Sequence, residues 1–236
     1  MHELLLSVTN DVKQLMRAQA VNANNLANAS TDGFKAEIAF MVTSQRMGSL
    51  ASVPDLSSGS IKSTGRDLDV AVNGEGWIAV VGADGTEAYS RRGDLHIDAF
   101  GQLSNGAGQL VLGNGGPIAL PPFGAVEVGA DGTVSVLPLG QNPNSMAIID
   151  RIKLVTLEES DIVRGEDGLM RLASGNIAAS DASVQLLAGN LETSNVNTVS
   201  EMVKMIELAR RFEAQVQLMQ SAEENSQALS RIMRMS

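Results

Sequence analysis

The sequence predicts an α+β protein in which long N- and C-terminal α-helices form a coiled-coil-like helical domain and the middle of the chain forms an antiparallel β domain. All 23 glycines and all 6 prolines lie between Gly33 and Gly189, so neither end contains a residue that breaks helices. In the middle, Asp-Gly turn sequences separate short apolar segments. We expect a helix over residues 1–34, a connecting arm over 35–66, the β domain over 67–190 and the second helix over 191–236.

The N-terminal helix is predicted from apolar residues at alternating spacings of three and four. This heptad-like spacing is typical of a helix that packs along one face, and Gln19 and Asn22 interrupt it. A segment rich in Asn, Ser and Thr follows and ends in Gly33, a composition typical of a helix exit. The residues of this stripe that we expect to pack against other helices are Leu5, Val8, Val12, Leu15 and Leu26.

The middle of the chain is predicted to be antiparallel because its turns are of the kind that join neighbouring strands. Residues 67–74 are predicted to be a strand that runs into a glycine turn, and residues 77–81 a second strand. The pentapeptide Gly-Ala-Asp-Gly-Thr occurs at 82–86 and again at 129–133, each time after an apolar segment, and Asp-Gly in that setting indicates a hairpin. The glycines to which we assign a structural turn are Gly74, Gly76, Gly85 and Gly132.

The C-terminal helix is predicted to begin near Asn197 and Thr198, where Thr198-x-x-Glu201 has the form of a capping box. About 38 helical residues would span on the order of 55 Å, more than a small β domain needs for its own packing. We therefore expect other protein to cover the apolar stripe of this helix. The stripe residues assigned to assembly are Met202, Ile206, Phe212, Val216, Met219 and Leu229.

The composition argues against several classes of function. The net charge is −10 and the excess acid lies in the middle of the chain, which disfavours nucleic acid and anionic lipid as partners. The chain has no cysteine and only two histidines, and no group of residues suggests catalysis, so we expect no metal, no cofactor and no enzymatic activity. Because the first residues lack the pattern of a secretory signal, we expect a cytosolic protein or one exported by another route.

Two alternatives remain open at this point. Residues 74–79 fit the pattern G-x-G-x-x-A of dinucleotide-binding enzymes, but a strand-like segment follows where that site needs a helix, so a hairpin turn is the favoured interpretation. The methionines of the C-terminal helix also fit a cytosolic binding module that uses this helix to contact a partner. A nucleotide-binding assay would test the first alternative, and a defined one-to-one complex would favour the second.

Three segments resemble the bacterial flagellar rod and hook proteins. Residues 23–34, Ala-Asn-Asn-Leu-Ala-Asn-Ala-Ser-Thr-Asp-Gly-Phe, resemble the signature near the N-terminus of that family. Residues 191–197, Leu-Glu-Thr-Ser-Asn-Val-Asn, resemble the segment before its C-terminal helix, and residues 67–77 resemble its central-domain motif. Residues 209–213, Ala-Arg-Arg-Phe-Glu, look most like members from the proximal rod.

The resemblance implies a structural subunit of the flagellar rod that transmits torque. Its partners would be copies of itself, other proteins of the proximal and distal rod, and the flagellar type III export apparatus, which it would pass without a cleaved signal peptide on the way to the periplasmic part of the basal body. Residues 34–38, Phe-Lys-Ala-Glu-Ile, fit a pattern attributed to early export substrates. Within the N-terminal signature, the resemblance adds Asn24, Asn25 and Asn28 to the expected assembly interface.

Overall fold

The computed structural model describes residues 2–43, 48–141 and 145–235. Helix α1 is His2–Ala27 and helix α2 is Thr198–Met235, and a short 3-10 helix covers Glu159–Asp161. The strands between the two long helices, in chain order, are β1 (Glu37–Thr43), β2 (Gly48–Pro54), β3 (Ile61–Ser63), β4 (Val70–Asn73), β5 (Trp77–Val81), β6 (Glu87–Ser90), β7 (Leu95–Ile97), β8 (Leu103–Asn105), β9 (Leu112–Gly113), β10 (Gly116–Pro117), β11 (Phe123–Val128), β12 (Thr133–Pro138), β13 (Ala147–Arg151), β14 (Leu154–Val155), β15 (Ile162–Arg164), β16 (Met170–Leu172), β17 (Gln185–Ala188) and β18 (Asn190–Glu192).

The predicted fold class is wrong in its helical part. The described chain has one long helix at each end and many antiparallel strands in several sheets, so a mostly β middle, rather than a coiled-coil-like helical domain, dominates the fold. The physical reason lies in the stripe of α1. Gln14, Asn22 and Asn25 are its buried positions among the described side chains, whereas the apolar Val12 and Leu15 are only half-buried. A coiled-coil seam needs apolar side chains at the buried positions, and α1 does not supply them.

The chain forms two compact units. The helical unit contains residues 1–29, 37–53 and 196–236, and the β unit contains residues 30–36 and 54–195. Residues 30–36, which begin three residues after the end of α1, therefore belong to the β unit, as do residues 54–66 of the expected connecting arm. Neither helix is long and apolar enough, over its described residues, to cross a membrane.

The β unit is built from small antiparallel sheets. The largest has five strands in the order β14-β5-β6-β16-β15, and another has three in the order β11-β12-β13. The remaining strands of the unit pair two by two, as β4 with β17, β3 with β18, β7 with β8 and β9 with β10. Because β4 and β5 belong to different sheets, the turn at residues 74–76 is a corner between sheets, and the hairpin interpretation of this turn is wrong.

The two Gly-Ala-Asp-Gly-Thr segments form hairpin turns, as predicted. The first joins β5 to β6 and the second joins β11 to β12, both antiparallel pairs. In each turn the aspartate carboxylate accepts hydrogen bonds from the backbone N–H and the hydroxyl of the threonine two residues later, Asp84 from Thr86 and Asp131 from Thr133. The same local sequence therefore makes the same turn twice.

Strand β5 is buried on both faces and separates two apolar clusters. Ile78 and Val80 belong to the larger cluster, whereas Trp77 and Ala79 belong to the smaller one with Tyr89 of β6. All five of these side chains are 4% exposed or less. A strand that is buried on both faces lies in the interior, so β5 contributes side chains to both apolar clusters of the β unit.

Candidate assembly interface

The predicted interface residues of α1 differ in their surroundings. Asn25 is buried, Asn24 is exposed, and the rest of the described set is half-buried: Val12, Leu15, Leu26 and Asn28. Leu5 and Val8 lie in the first turns of α1, outside the described side chains. The described part of this predicted set therefore does not form one face, because its buried residue, Asn25, is polar and adjacent to the exposed Asn24.

The predicted interface residues of α2 divide into two groups. Phe212, Val216 and Met219 are half-buried, whereas Met202 and Ile206 are 53% and 56% exposed. Leu229 lies outside the described side chains. At about 100° per residue the first group lies on the same side of the helix as the buried Glu201, and the second group lies on a different side.

An exposed apolar stripe covers the first turns of α2. Val199, Met202, Val203 and Ile206 follow the spacing i, i+3, i+4 and i+7, and each is more than half exposed. Farther along the helix the same line carries polar residues, beginning with Arg210. The α2 stripe, as we call these four residues, is thus a short apolar surface on the helical unit.

A buried polar cluster joins the end of α1 to the start of α2. The Asn22 amide Nδ2 donates to the carboxylate of Glu201 at 2.6 Å and to the Glu201 carbonyl at 3.0 Å, and the Asn25 Nδ2 lies 3.4 Å from the same carboxylate. Asn25 also pairs with the backbone of Glu37 in β1, accepting from its N–H and donating to its carbonyl. Asn22, Asn25 and Glu201 are all less than 8% exposed.

Sequence reasoning missed this cluster because it gave its members other roles. The heptad pattern makes Asn22 an interruption of an apolar stripe, and the capping-box pattern makes Glu201 a residue that caps the start of α2. In the structure the Asn197 side chain caps α2, accepting from the N–H of Ser200 at 3.0 Å, and the Glu201 carboxylate turns toward α1. The sequence feature that could have indicated this cluster is the presence of polar residues at positions that the heptad pattern predicts to be buried.

The turn glycines have backbone angles that favour glycine. Gly74, Gly85 and Gly132 have φ of 79°, 77° and 86°, and Gly76 has φ of 141°. A Cβ at Gly76 would also approach the Val184 side chain, whereas one at Gly74 would meet no atom within 4 Å. The strand β5 follows Gly76 directly, so no helix N-terminus is present at this turn to bind a pyrophosphate.

Three charged side chains are buried together in the β unit. The Glu192 carboxylate accepts from Lys35 Nζ at 2.7 Å and from Arg91 Nη1 at 3.1 Å, and all three side chains are 4% exposed or less. Burial lowers the pKa of the Lys35 ammonium below its ordinary value, although Glu192 opposes this shift. The sequence analysis did not predict this contact, because Arg91 and Glu192 lie 101 residues apart in the chain.

Two further ion pairs lie in the β unit. Arg66 pairs with Asp69 at 3.0 Å, while Arg92 pairs with Asp94 at 2.7 Å. Across the described ranges, no group of three or more His, Cys, Asp or Glu side chains is arranged to hold a metal ion.

Comparison with known families identifies three consecutive matches along the chain. Residues 12–35 match the model described as flagella basal body rod protein, and residues 71–136 match the D1 domain of the flagellar hook protein FlgE/F/G. Residues 187–232 match the C-terminal model of the flagellar basal body rod FlgEFG proteins. The N-terminal match ends at Lys35 and the C-terminal match includes Glu192, so the two matches contain both partners of one buried ion pair.

Full-length relatives narrow the assignment. The chain is similar to the flagellar basal-body rod protein FlgF of Salmonella typhimurium, with 40% identity over 94% of this chain and 95% of the relative. Identity to FlgF of Escherichia coli K12 is 39% with the same coverage. The flagellar basal-body rod protein FlgG of Bacillus subtilis is 31% identical over 98% of both chains.

Both kinds of match point to one class of protein, the structural components of the flagellar axis. Within this class, the chain belongs to the family of flagellar basal-body rod proteins and is FlgF-like. It is a structural subunit of the flagellar basal body, where it associates with other rod components, and its relatives are structural proteins rather than enzymes.

Proposed function

We propose that this protein is a subunit of the proximal rod and that it packs against copies of itself and other rod proteins through the α2 stripe. The observation that carries this proposal is the exposure of Val199, Met202, Val203 and Ile206 on one line of α2. Contiguous exposed apolar residues on a soluble surface are typical of protein–protein contacts. Burying one large aliphatic side chain contributes about 1.5–3 kcal/mol, so this short stripe supplies a substantial driving force.

Torque transmission follows from the same type of contact. A rod subunit that binds its neighbours by packed helix surfaces distributes load over many small contacts, and no single residue carries it. The half-buried Phe212, Val216 and Met219 extend the apolar part of α2 beyond the stripe. We assign these residues a supporting role, since they are half-buried and lie on a different side of α2 from the stripe.

The proposal includes the route to the basal body. We place the subunit in the periplasmic part of the rod and propose that the flagellar export apparatus delivers it, supported by the family and by the Phe-Lys-Ala-Glu-Ile pattern of residues 34–38. In the folded chain Lys35 is buried and the Arg164 guanidinium lies over the Phe34 ring at 4.8 Å. Of the two residues that define the ends of this pattern, Phe34 is thus half-buried, whereas Ile38 is 50% exposed.

The test is a pair of substitutions at neighbouring positions of α2. Ile206→Asp places a charge on the α2 stripe, and an unpaired charge buried in a contact costs several kcal/mol. Glu207→Gln changes a charge outside the stripe. We expect Ile206→Asp to be folded and soluble but to fail to enter the rod and to abolish motility, while Glu207→Gln retains motility. Normal motility of the Ile206→Asp strain would contradict the proposed role of the stripe.

A further inference from the structure

The charges around Glu192 do not balance locally. Lys35 and Arg91 share its carboxylate, so two buried cations contact one buried anion, and the half-buried Asp55 adds only a weaker electrostatic attraction to Lys35. Lys35 otherwise donates to the Ser57 carbonyl, and Arg91 to the Gly74 carbonyl, while its guanidinium lies 5.4 Å from the Trp77 ring centroid. These neutral partners cannot compensate the two charges if the carboxylate is lost.

Glu192 also binds backbone from two other segments. The Gly33 N–H donates to the Glu192 carbonyl at 2.6 Å, and the Gly59 N–H donates to its carboxylate at 2.9 Å. Three residues farther along, the Asn195 side chain accepts from the Ala36 N–H at 2.7 Å. These hydrogen bonds attach residues 33–36 to residues 192–195. The first segment follows α1 in sequence, and the second precedes α2.

The apolar core of the β unit does not include residues 30–36. Both apolar clusters are built from residues 56 onward, and the larger one contains Val70, Ile78 and Leu95. Residues 33–36 are therefore held by polar and charged contacts, with the ring of Phe34 beneath Arg164 as their aromatic contact. A segment held in this way can detach without unfolding the core.

We propose that Lys35, Glu192 and Arg91 form a latch that holds residues 31–36 on the β unit only while Glu192 carries its charge. Without that charge, Lys35 and Arg91 repel each other in a buried environment, and detachment of residues 31–36 returns the Lys35 ammonium to water. Arg91 stays in place because Gly74 and Trp77 still hold it. The latch connects the segment that follows α1 with the segment that precedes α2. When the latch opens, the β unit stays folded, but these two segments are no longer attached to each other.

The experiment is hydrogen exchange on the full-length chain with Glu192→Gln. This substitution keeps the shape of the side chain and removes its charge. We expect the peptide covering residues 31–36 to exchange at least tenfold faster than in the unaltered protein, while the amides of β5 and β6 keep their protection and Trp77 fluorescence is unchanged. Glu127→Gln, at an exposed position of β11, is the matched control and leaves all these peptides unchanged.

A second variant separates the latch from a general loss of stability. Glu192→Asp keeps the charge but shortens the side chain, so that it cannot reach Lys35 and Arg91 together, and we expect a smaller local increase in exchange over residues 31–36. Unchanged exchange of this segment in Glu192→Gln would overturn the proposal. Equal loss of protection in β5 and β6 with both variants would also overturn it, since Glu192 would then be part of the core of the unit.

Discussion

Close approaches of the backbone restrict several residues of the β unit to glycine. A Cβ at Gly93 would collide with the carbonyl of Val70, whose N–H donates to the Gly93 carbonyl at 2.9 Å. A Cβ at Gly33, where φ is 68°, would collide with the backbone of Arg91. The backbone of residue 33 can therefore lie close to the backbone of residue 91, near the buried Glu192. Only glycine at position 33 allows this approach.

Substitution of the two glycines in the corner between β4 and β5 should have unequal effects. Gly74→Ala introduces only the strain of a positive φ, about 1 kcal/mol, because the space around it is open. Gly76→Ala adds a collision with Val184, and we expect a loss of about 2–4 kcal/mol. Thermal unfolding, followed by the fluorescence of Trp77, the single tryptophan, measures the loss of stability in each variant. Equal melting temperatures for the two variants would contradict this account of the corner.

Tyr89 should make stability fall at high pH. Burial, with a contribution from Glu87, raises the pKa of Tyr89 to about 12 in the folded protein, from 10.0. The unfolded chain therefore releases its proton first, so the stabilisation is fully present below pH 10 and is lost as the pH rises through 12, about 2–3 kcal/mol in total. Denaturant unfolding at several alkaline pH values should show this slope, and Tyr89→Phe should remove it. Because Tyr89 is the single tyrosine, tyrosinate absorbance follows it directly.

At the scale of elements, α1, β1 and α2 meet through side-chain amides. The Asn25 side chain forms two hydrogen bonds with the backbone of Glu37, and its amide also faces the Glu201 carboxylate. A buried polar contact of this kind fixes the register of a helix, because it can form in only one alignment. The first turn of α2 is thus placed by polar bonds, and the α2 stripe is left facing outward.

Two adjacent asparagines provide a matched test of this arrangement. Asn25→Ala removes the bonds to Glu37 and leaves buried backbone groups without partners, and we expect a loss of about 2–3 kcal/mol. Asn24→Ala alters an exposed position and should change stability by no more than about 0.5 kcal/mol. Chemical denaturation followed by helical circular dichroism reports the helical unit. If both variants unfold at the same denaturant concentration, the polar cluster does not stabilise the helices.

Local sequence predicted elements whose geometry depends on a few adjacent residues. The long helices and the two Asp-Gly hairpins were predicted because glycine placement and apolar spacing act over short distances. The coiled-coil-like packing was predicted wrongly because the pattern does not reveal that Asn22, Asn25 and Glu201 are buried together. The ion pair between Lys35 and Glu192 joins residues 157 positions apart, and periodicity carries no information about such a contact.

At the scale of the whole molecule, charge and apolar surface are separated along the chain. The ends are close to neutral, with five basic and five acidic residues over 199–236, while the middle carries the acidic excess of a chain of net charge −10. Neutral helices can approach copies of themselves without accumulated repulsion, whereas an acidic β unit remains well solvated. This division suits a subunit that assembles through its helices.

The α2 stripe is proposed to contact other subunits in the assembled rod, and the cysteine-free chain allows this contact to be tested by cross-linking. One variant carries a single cysteine at Ile206, on the stripe, and the other carries it at Glu207, outside the stripe. Isolated basal bodies that contain each variant are treated with a short cross-linker that has one thiol-specific group and one photoreactive group. If the stripe makes this contact, Ile206→Cys gives cross-linked rod subunits and Glu207→Cys gives little product. Equal yields from the two positions, or no product from Ile206→Cys in rods that contain the variant, would contradict it.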